Sequence, residues 1–120
     1  MSAPHIVTVI GYFSISSENA AAFRENCAAM VALHDKEPGH LATAYGFCSD
    51  GTAVSREDYD SAEAVQRHMQ LGSHIFESTQ ALVQITGVEL HGPAEEIDRL
   101  RDLFSAMSPR CFVTEYGFRR

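Results

Sequence analysis

The chain has 120 residues, 45% of them hydrophobic, and a formal net charge of −7 from 16 acidic against 9 basic side chains. That length suits one domain with one core, near the size where small domains gain from association, and the hydrophobic content excludes a disordered chain. An acidic surface repels phosphate backbones, and the basic clusters Arg99/Arg101 and Arg119-Arg120 are too sparse to offset it, so nucleic acid is excluded as a partner.

The opening MSAPHIVTVIGYF has no positively charged lead-in, and its apolar run is too short for a signal peptide. No segment is long enough to span a bilayer, so no membrane association and a cytoplasmic location are expected. Residues 5–13 are β-branched and aromatic and predict a strand; their weak alternation fits a strand covered on both faces. Ser16 and Ser17 offer N-caps, and Phe23, Cys27, Met30 and Val31 then recur at helical spacing until Pro38-Gly39 stops the helix. A second strand is expected at 40–48, with Leu41, Thr43, Tyr45 and Phe47 on one face and His40, Ala42, Ala44 and Gly46 on the other. Ser49-Asp50-Gly51 turns the chain into a third strand at 52–59, antiparallel to the second.

Asp60 is read as the cap of the next helix and Glu63 as its capping-box partner. Its apolar stripe is Val65, Met69, Gly72, Ile75 and Phe76, with His68 along the same side. A fourth strand follows at 83–91. Gly92-Pro93 then opens a third helix with the apolar face Ile97, Leu100, Phe104 and Met107, and a last strand is expected at 111–118. Cys27, Cys48 and Cys111 are odd in number and far apart, which suits reduced thiols.

The order β-α-β-β-α-β followed by α-β predicts an α+β fold: a ferredoxin-like antiparallel sheet with an extra C-terminal helix and strand. No linker divides the chain, so residues 1–120 are expected to form a single domain with a core at 3–92 and an extension at 93–120. Apolar residues on both faces of the strands imply that a second copy covers the open face, making a homodimer.

Among candidate site residues, His68 ranks first. An imidazole aimed inward can take a proton from a phenol or donate to an oxyanion, and it can equally be a histidine satisfied by a backbone carbonyl at the edge of the core. Tyr12, Tyr45 and Tyr59 lie on or at the ends of strands; each can point a phenol at a substrate or simply pack. Arg56 can orient an anion or pair with Glu57. His74 is read as sitting at the end of the helix, where the dipole favours a capping role. His68 and His74 are six residues apart, about 9 Å along a helix and on different sides, so no metal site is expected from them. His5, His34, His40 and His91 are scattered and expected at the surface.

The stretches Glu37-Pro38-Gly39-His40, Arg56-Glu57-Asp58-Tyr59-Asp60-Ser61 and Ala64 to Phe76, with His68 followed six residues later by His74, resemble the antibiotic biosynthesis monooxygenase family of the dimeric α/β-barrel superfamily. The resemblance covers residues 3–92. It implies a dimeric α/β barrel and a cofactor-independent monooxygenase acting on a small aromatic molecule of the quinol or anthrone type. Of the residues named, only His68 and His74 match the family's pattern; in such an enzyme His68 would be the catalytic base or hydrogen-bonding group, and one or more of Tyr12, Tyr45 and Tyr59 would help position the substrate. Haem-degrading members carry a tryptophan where His68 stands and an asparagine near Gly11 or Tyr12; both are missing here, so haem breakdown is not expected, and no cofactor is. The alternative is a non-catalytic dimeric binding or stress-associated module, which would have its pocket filled by its own side chains. An isomerase or cyclase would need an acid and a base on opposite sides of the pocket, and the sequence does not show both.

Overall fold

The computed structural model describes residues 5–120. The first residues of the expected core, 3 and 4, lie outside that range, as does the start of the segment weighed as a leader. The elements are β1 (Val7–Ser14), α1 (Ala20–His34), β2 (His40–Phe47), β3 (Thr52–Tyr59), α2 (Ala62–Leu71), α3 (Ser73–Leu82), β4 (Gln84–Gly92), α4 (Ala94–Leu100) and β5 (Arg110–Val113), with 3₁₀ turns at Ser17–Asn19 and Ser105–Met107. The sheet runs β2-β3-β1-β4-β5. Strand β1 lies between β3 and β4 and is antiparallel to both, which is the ferredoxin-like arrangement; β5 adds to β4 in parallel across the α4 crossover.

Along β1, Val7, Gly11 and Phe13 are buried against the helices, while Tyr12 on the opposite face is exposed. One part of the core joins Val7, Tyr59, Val65, Val88, Leu90, Leu100 and Phe104, which ties α2 and α4 to the sheet. A second joins Phe13, Phe23, Cys27 and Ala53 under α1. The predicted apolar face of the last helix is therefore buried at Ile97, Leu100 and Phe104, although α4 ends at Leu100 and continues as turns to Met107.

Two strands carry an extra residue, and each changes which side chains point inward. In β2, His40 pairs with Tyr59 and Ala42 with Asp58, so Leu41 is bulged out. The bulge breaks the alternation expected for 40–48: His40 before it and Tyr45 after it both face the helices. In β4, Gly87 pairs with Tyr12 and Ile85 with Phe13, so Thr86 is the extra residue and Ile85, Val88 and Leu90 all reach the core.

Three boundaries differ from the expected ones. The helix after β3 is capped by Ser61, whose side chain accepts from the Ala64 amide at 3.2 Å, rather than by Asp60. The single predicted helix is two, α2 and α3, because the backbone leaves helical geometry at Gly72 (φ −97°, ψ 8°). The last strand stops at Val113 rather than at 118; after the Thr114 amide donates to the Gly92 carbonyl the chain leaves the sheet, and Tyr116 and Phe118 are exposed.

Candidate functional site

Between the sheet and helices α1, α2 and α3 lies an apolar cavity of about 70 Å³. Strand β1 contributes Val9 and Phe13, α1 contributes Met30, and α2 and α3 contribute Met69 and Phe76. The polar groups reaching it include Tyr45 from β2, Ser55, Glu57 and Tyr59 from β3, and His68 from α2. Residues 55, 57 and 59 share one face because side chains of a strand alternate. His68 is placed three residues after Val65, on the buried side of α2.

His68 is held from both ring nitrogens. Its Nδ1 lies 2.8 Å from Glu37 Oε1, while its Nε2 lies 3.1 Å from His34 Nε2 and 3.8 Å from Glu57 Oε2. An ionised carboxylate can only accept, so Nδ1 donates to Glu37, and Nε2 is the basic atom of the ring, accepting from His34 Nε2–H. The partner is thus a carboxylate, not the backbone carbonyl considered from sequence. Glu37 is carried on the turn after α1, and that turn reverses at Gly39 (φ +84°). A Cβ at position 39 would come within 2.7 Å of Asp60 Oδ1 and 2.9 Å of Ala64 Cβ, so glycine is what lets the turn close onto α2.

Glu57 is the second group of consequence. Burial pushes its carboxyl upward, toward the protonated form, against the opposing pull of the Tyr59 hydroxyl and His68. The Tyr59 hydroxyl donates to Glu57 Oε2. Burial, and then the neighbouring Glu57 carboxylate, push the Tyr59 phenol up as well; Tyr45 is raised by the same two causes in the same order. Burial, followed by the neighbouring His68 and His40, lowers His34 to about 3, so its imidazole is neutral at ordinary pH.

Of the residues singled out from sequence, His68, Tyr45 and Tyr59 are brought together at the cavity. Tyr12 is not: it lies on the opposite face of the sheet, exposed, with its hydroxyl donating to Glu89 Oε2. Arg56 is exposed and also turned away from Glu57, since adjacent residues of β3 point to opposite faces. His74 is exposed in the first turn of α3, at an N-terminal rather than a C-terminal helix end, because the chain breaks at Gly72, so the dipole argument for a cap does not apply.

His34 and His40, expected at the surface, are inside. His34 is 2% exposed and its ring stacks on that of His40 at 4.1 Å. His34 lies four residues after the buried Met30 on α1, a spacing that the sequence already carries; His40 is turned inward by the Leu41 bulge, which no local pattern announces. His5 and His91 are surface-side as expected, paired with Glu96 and Glu89.

Comparison with known proteins agrees with this architecture. The family model described as antibiotic biosynthesis monooxygenase matches residues 6–75. MupZ from Pseudomonas fluorescens is 30% identical, with a TM-score of 0.90 over 98% of this chain and 96% of that one. That coverage includes α4 and β5. SnoaB, a cofactor-independent oxygenase from Streptomyces nogalater, is 18% identical with a TM-score of 0.63, over 71% of this chain and 91% of that one. Rv0793 from Mycobacterium tuberculosis is 24% identical with a TM-score of 0.61, over 69% and 91%. Likeness to the last two is a likeness of fold. Comparison with curated protein sequences finds no match.

Proposed function

Because this chain belongs to the antibiotic biosynthesis monooxygenase family, we propose that its cavity carries out cofactor-independent oxygenation of a small, electron-rich aromatic molecule of the quinol or anthrone type. The observation that carries this reading is the Glu37–His68 pair, which presents an imidazole to an apolar cavity. His68 Nε2 takes the acidic proton of the substrate, and Glu37 on Nδ1 stabilises the imidazolium that forms. The deprotonated substrate supplies the electrons to dioxygen. One oxygen atom is bonded to carbon, and the other leaves as water after proton return. Glu57, tilted toward its protonated form beside His68, is placed to supply a proton to the departing oxygen. Tyr45 and Tyr59 line the same space and would orient the ring.

The cavity is small. At about 70 Å³ it has roughly half the volume of an engineered cavity that takes up benzene. A ring therefore enters only as side chains yield, and Met30, Met69 and Met107 on its walls are the flexible ones. A cavity containing His68 supports the enzyme over the non-catalytic binding module, whose pocket would be filled. We also propose that the protein acts as a homodimer. The uncovered sheet face, with Ile10, Tyr12 and Phe112 among its residues, supports that reading. Among the described residues no helix is long and apolar enough to cross a membrane.

A second reading is favoured by Glu57 alone. A carboxyl biased toward its acid form on β3 and an imidazole on α2 put an acid and a base on the sheet wall and the helix wall of the cavity, the arrangement an isomerisation or ring closure without oxygen consumption requires. Oxygen uptake with a panel of quinols and anthrones, together with product mass, separates the two. Uptake above background with a product heavier by oxygen supports oxygenation; a product isomeric with its substrate and no uptake supports the second reading. In either case His68→Ala is expected to lower the rate roughly a hundredfold or more, and Glu37→Gln by a smaller factor. Equal rates in His68→Ala and the parent protein would remove His68 from the mechanism.

A further inference from the structure

His34, Glu37, His40 and His68 each offer one ligating atom, and the four atoms all lie within 4.8 Å of one another. They come from three places in the chain: the end of α1, the turn into β2, and α2. The side chains of Glu37, His40 and His68 are 7%, 2% and 4% exposed, and His34 is 2% exposed as a residue. Three of their polar atoms are buried without any partner: His34 Nδ1, Glu37 Oε2 and His40 Nδ1. Buried polar atoms are normally paired, and His40 Nδ1 is the bare one that faces another member of the cluster, 3.7 Å from Glu37 Oε1.

We propose that this cluster is a binding site for one divalent transition-metal ion, a second function beside the cavity that shares only His68 with its lining and does not depend on the oxygenase reading. Two imidazole nitrogens bound to one tetrahedral ion stand about 3.3 Å apart, given metal–nitrogen distances of about 2.0–2.1 Å. His34 Nε2 and His68 Nε2 are at 3.1 Å, and His40 Nδ1 and Glu37 Oε1 at 3.7 Å, so two of the pairs already have near-ligand spacing. At its widest the set must contract by about 1.5 Å from 4.8 Å, within reach of side-chain rotation. Three imidazoles and one carboxylate select zinc, cobalt, nickel or copper over magnesium or calcium, which prefer all-oxygen sites. An ion on His68 would occupy the nitrogen that takes the proton, so metal capture would also switch off base chemistry at that residue.

The test is metal uptake by the chelator-treated full chain, using zinc, cobalt and magnesium chlorides separately, with elemental analysis after dialysis. One equivalent of zinc or cobalt and no magnesium is expected. His34→Gln and His40→Gln, each checked for folding by circular dichroism, are expected to weaken uptake at least tenfold. A rise in the thermal midpoint with added zinc, read on the unaltered protein, needs no variant at all. Substoichiometric zinc and cobalt uptake, an unmoved midpoint, or uptake unchanged in both variants would overturn the site. Because uptake is read without turnover, its failure leaves the oxygenase reading standing, and failure of oxygenation leaves the metal site standing.

Discussion

At the scale of single residues, burial keeps three groups around His68 from their ordinary protonation: His34, His40 and Glu57. His34 has an ordinary value of 6.5 and is lowered to about 3, first by burial and then by His68 and His40. Between those two values the unfolded chain binds a proton there that the folded chain refuses. The stability it contributes is therefore complete above about 6.5 and lost as pH falls toward about 3. His40 is lowered in the same sense, by burial first and then by His68. Glu57 is raised from 4.5, so its contribution has the opposite sign: complete below 4.5 and lost as pH rises through its raised value. Urea unfolding at about pH 7 and about pH 5 is expected to show a less stable protein at the lower pH if the two histidines dominate. His34→Gln is expected to shrink that difference without abolishing it, since His40 remains. An unchanged difference would mean that His34 is not neutral in the folded state.

At the scale of elements, side chains meet because of turns, bulges and breaks rather than regular structure. The Leu41 bulge turns His40 inward onto Tyr59, with ring centroids 4.3 Å apart. The tight turn at Gly39 brings Glu37 to within 2.8 Å of His68. Gly39→Ala is expected to be destabilising by about 1–2 kcal/mol from the left-handed backbone alone, and by more once the contacts of 2.7 and 2.9 Å are counted. Activity should fall further than stability explains, because residues 37 and 40 flank the strained position; denaturant unfolding and turnover measured on the same preparation check both. Much of this level was legible. The strands at β2 and β3 fall where their β-branched and aromatic runs put them, and the stripe Val65, Met69, Gly72 and Phe76 lines the cavity. The split at Gly72 was not, because a continuous apolar stripe runs across both helices and periodicity cannot see a backbone break.

At the scale of the whole molecule, the sheet has helices on one face only, and the other presents apolar and charged side chains together. For the homodimer proposed above, that face is the interface, so a charge at its centre should weaken association. Ile10 lies on β1, the middle strand, between Arg56 of β3 and Glu89 of β4. Ile10→Asp is expected to shift sedimentation from dimer toward monomer while circular dichroism stays unchanged. A parent protein that sediments as a monomer would sink the dimer. The same measurement bears on the tail beyond Val113, whose Tyr116 is 91% and Phe118 63% exposed; aromatic side chains so placed are available to a second copy.

The sequence by itself determined the order of elements apart from the break at Gly72, the ferredoxin-like topology and the inward direction of His68, because hydrophobic period and turn residues act over a few neighbouring positions, and its motifs carried the resemblance to the family. Only the tertiary structure decided what His68 meets. Its partners lie far away in the chain: Glu37 is 31 residues off and His34 is 34. Glu57 reaches it from β3. Tyr12 and Tyr59 look alike as strand tyrosines, yet one faces out and the other is fully buried, since register decides the face. Contacts between distant positions depend on how sheet and helices pack, and no local pattern carries that information.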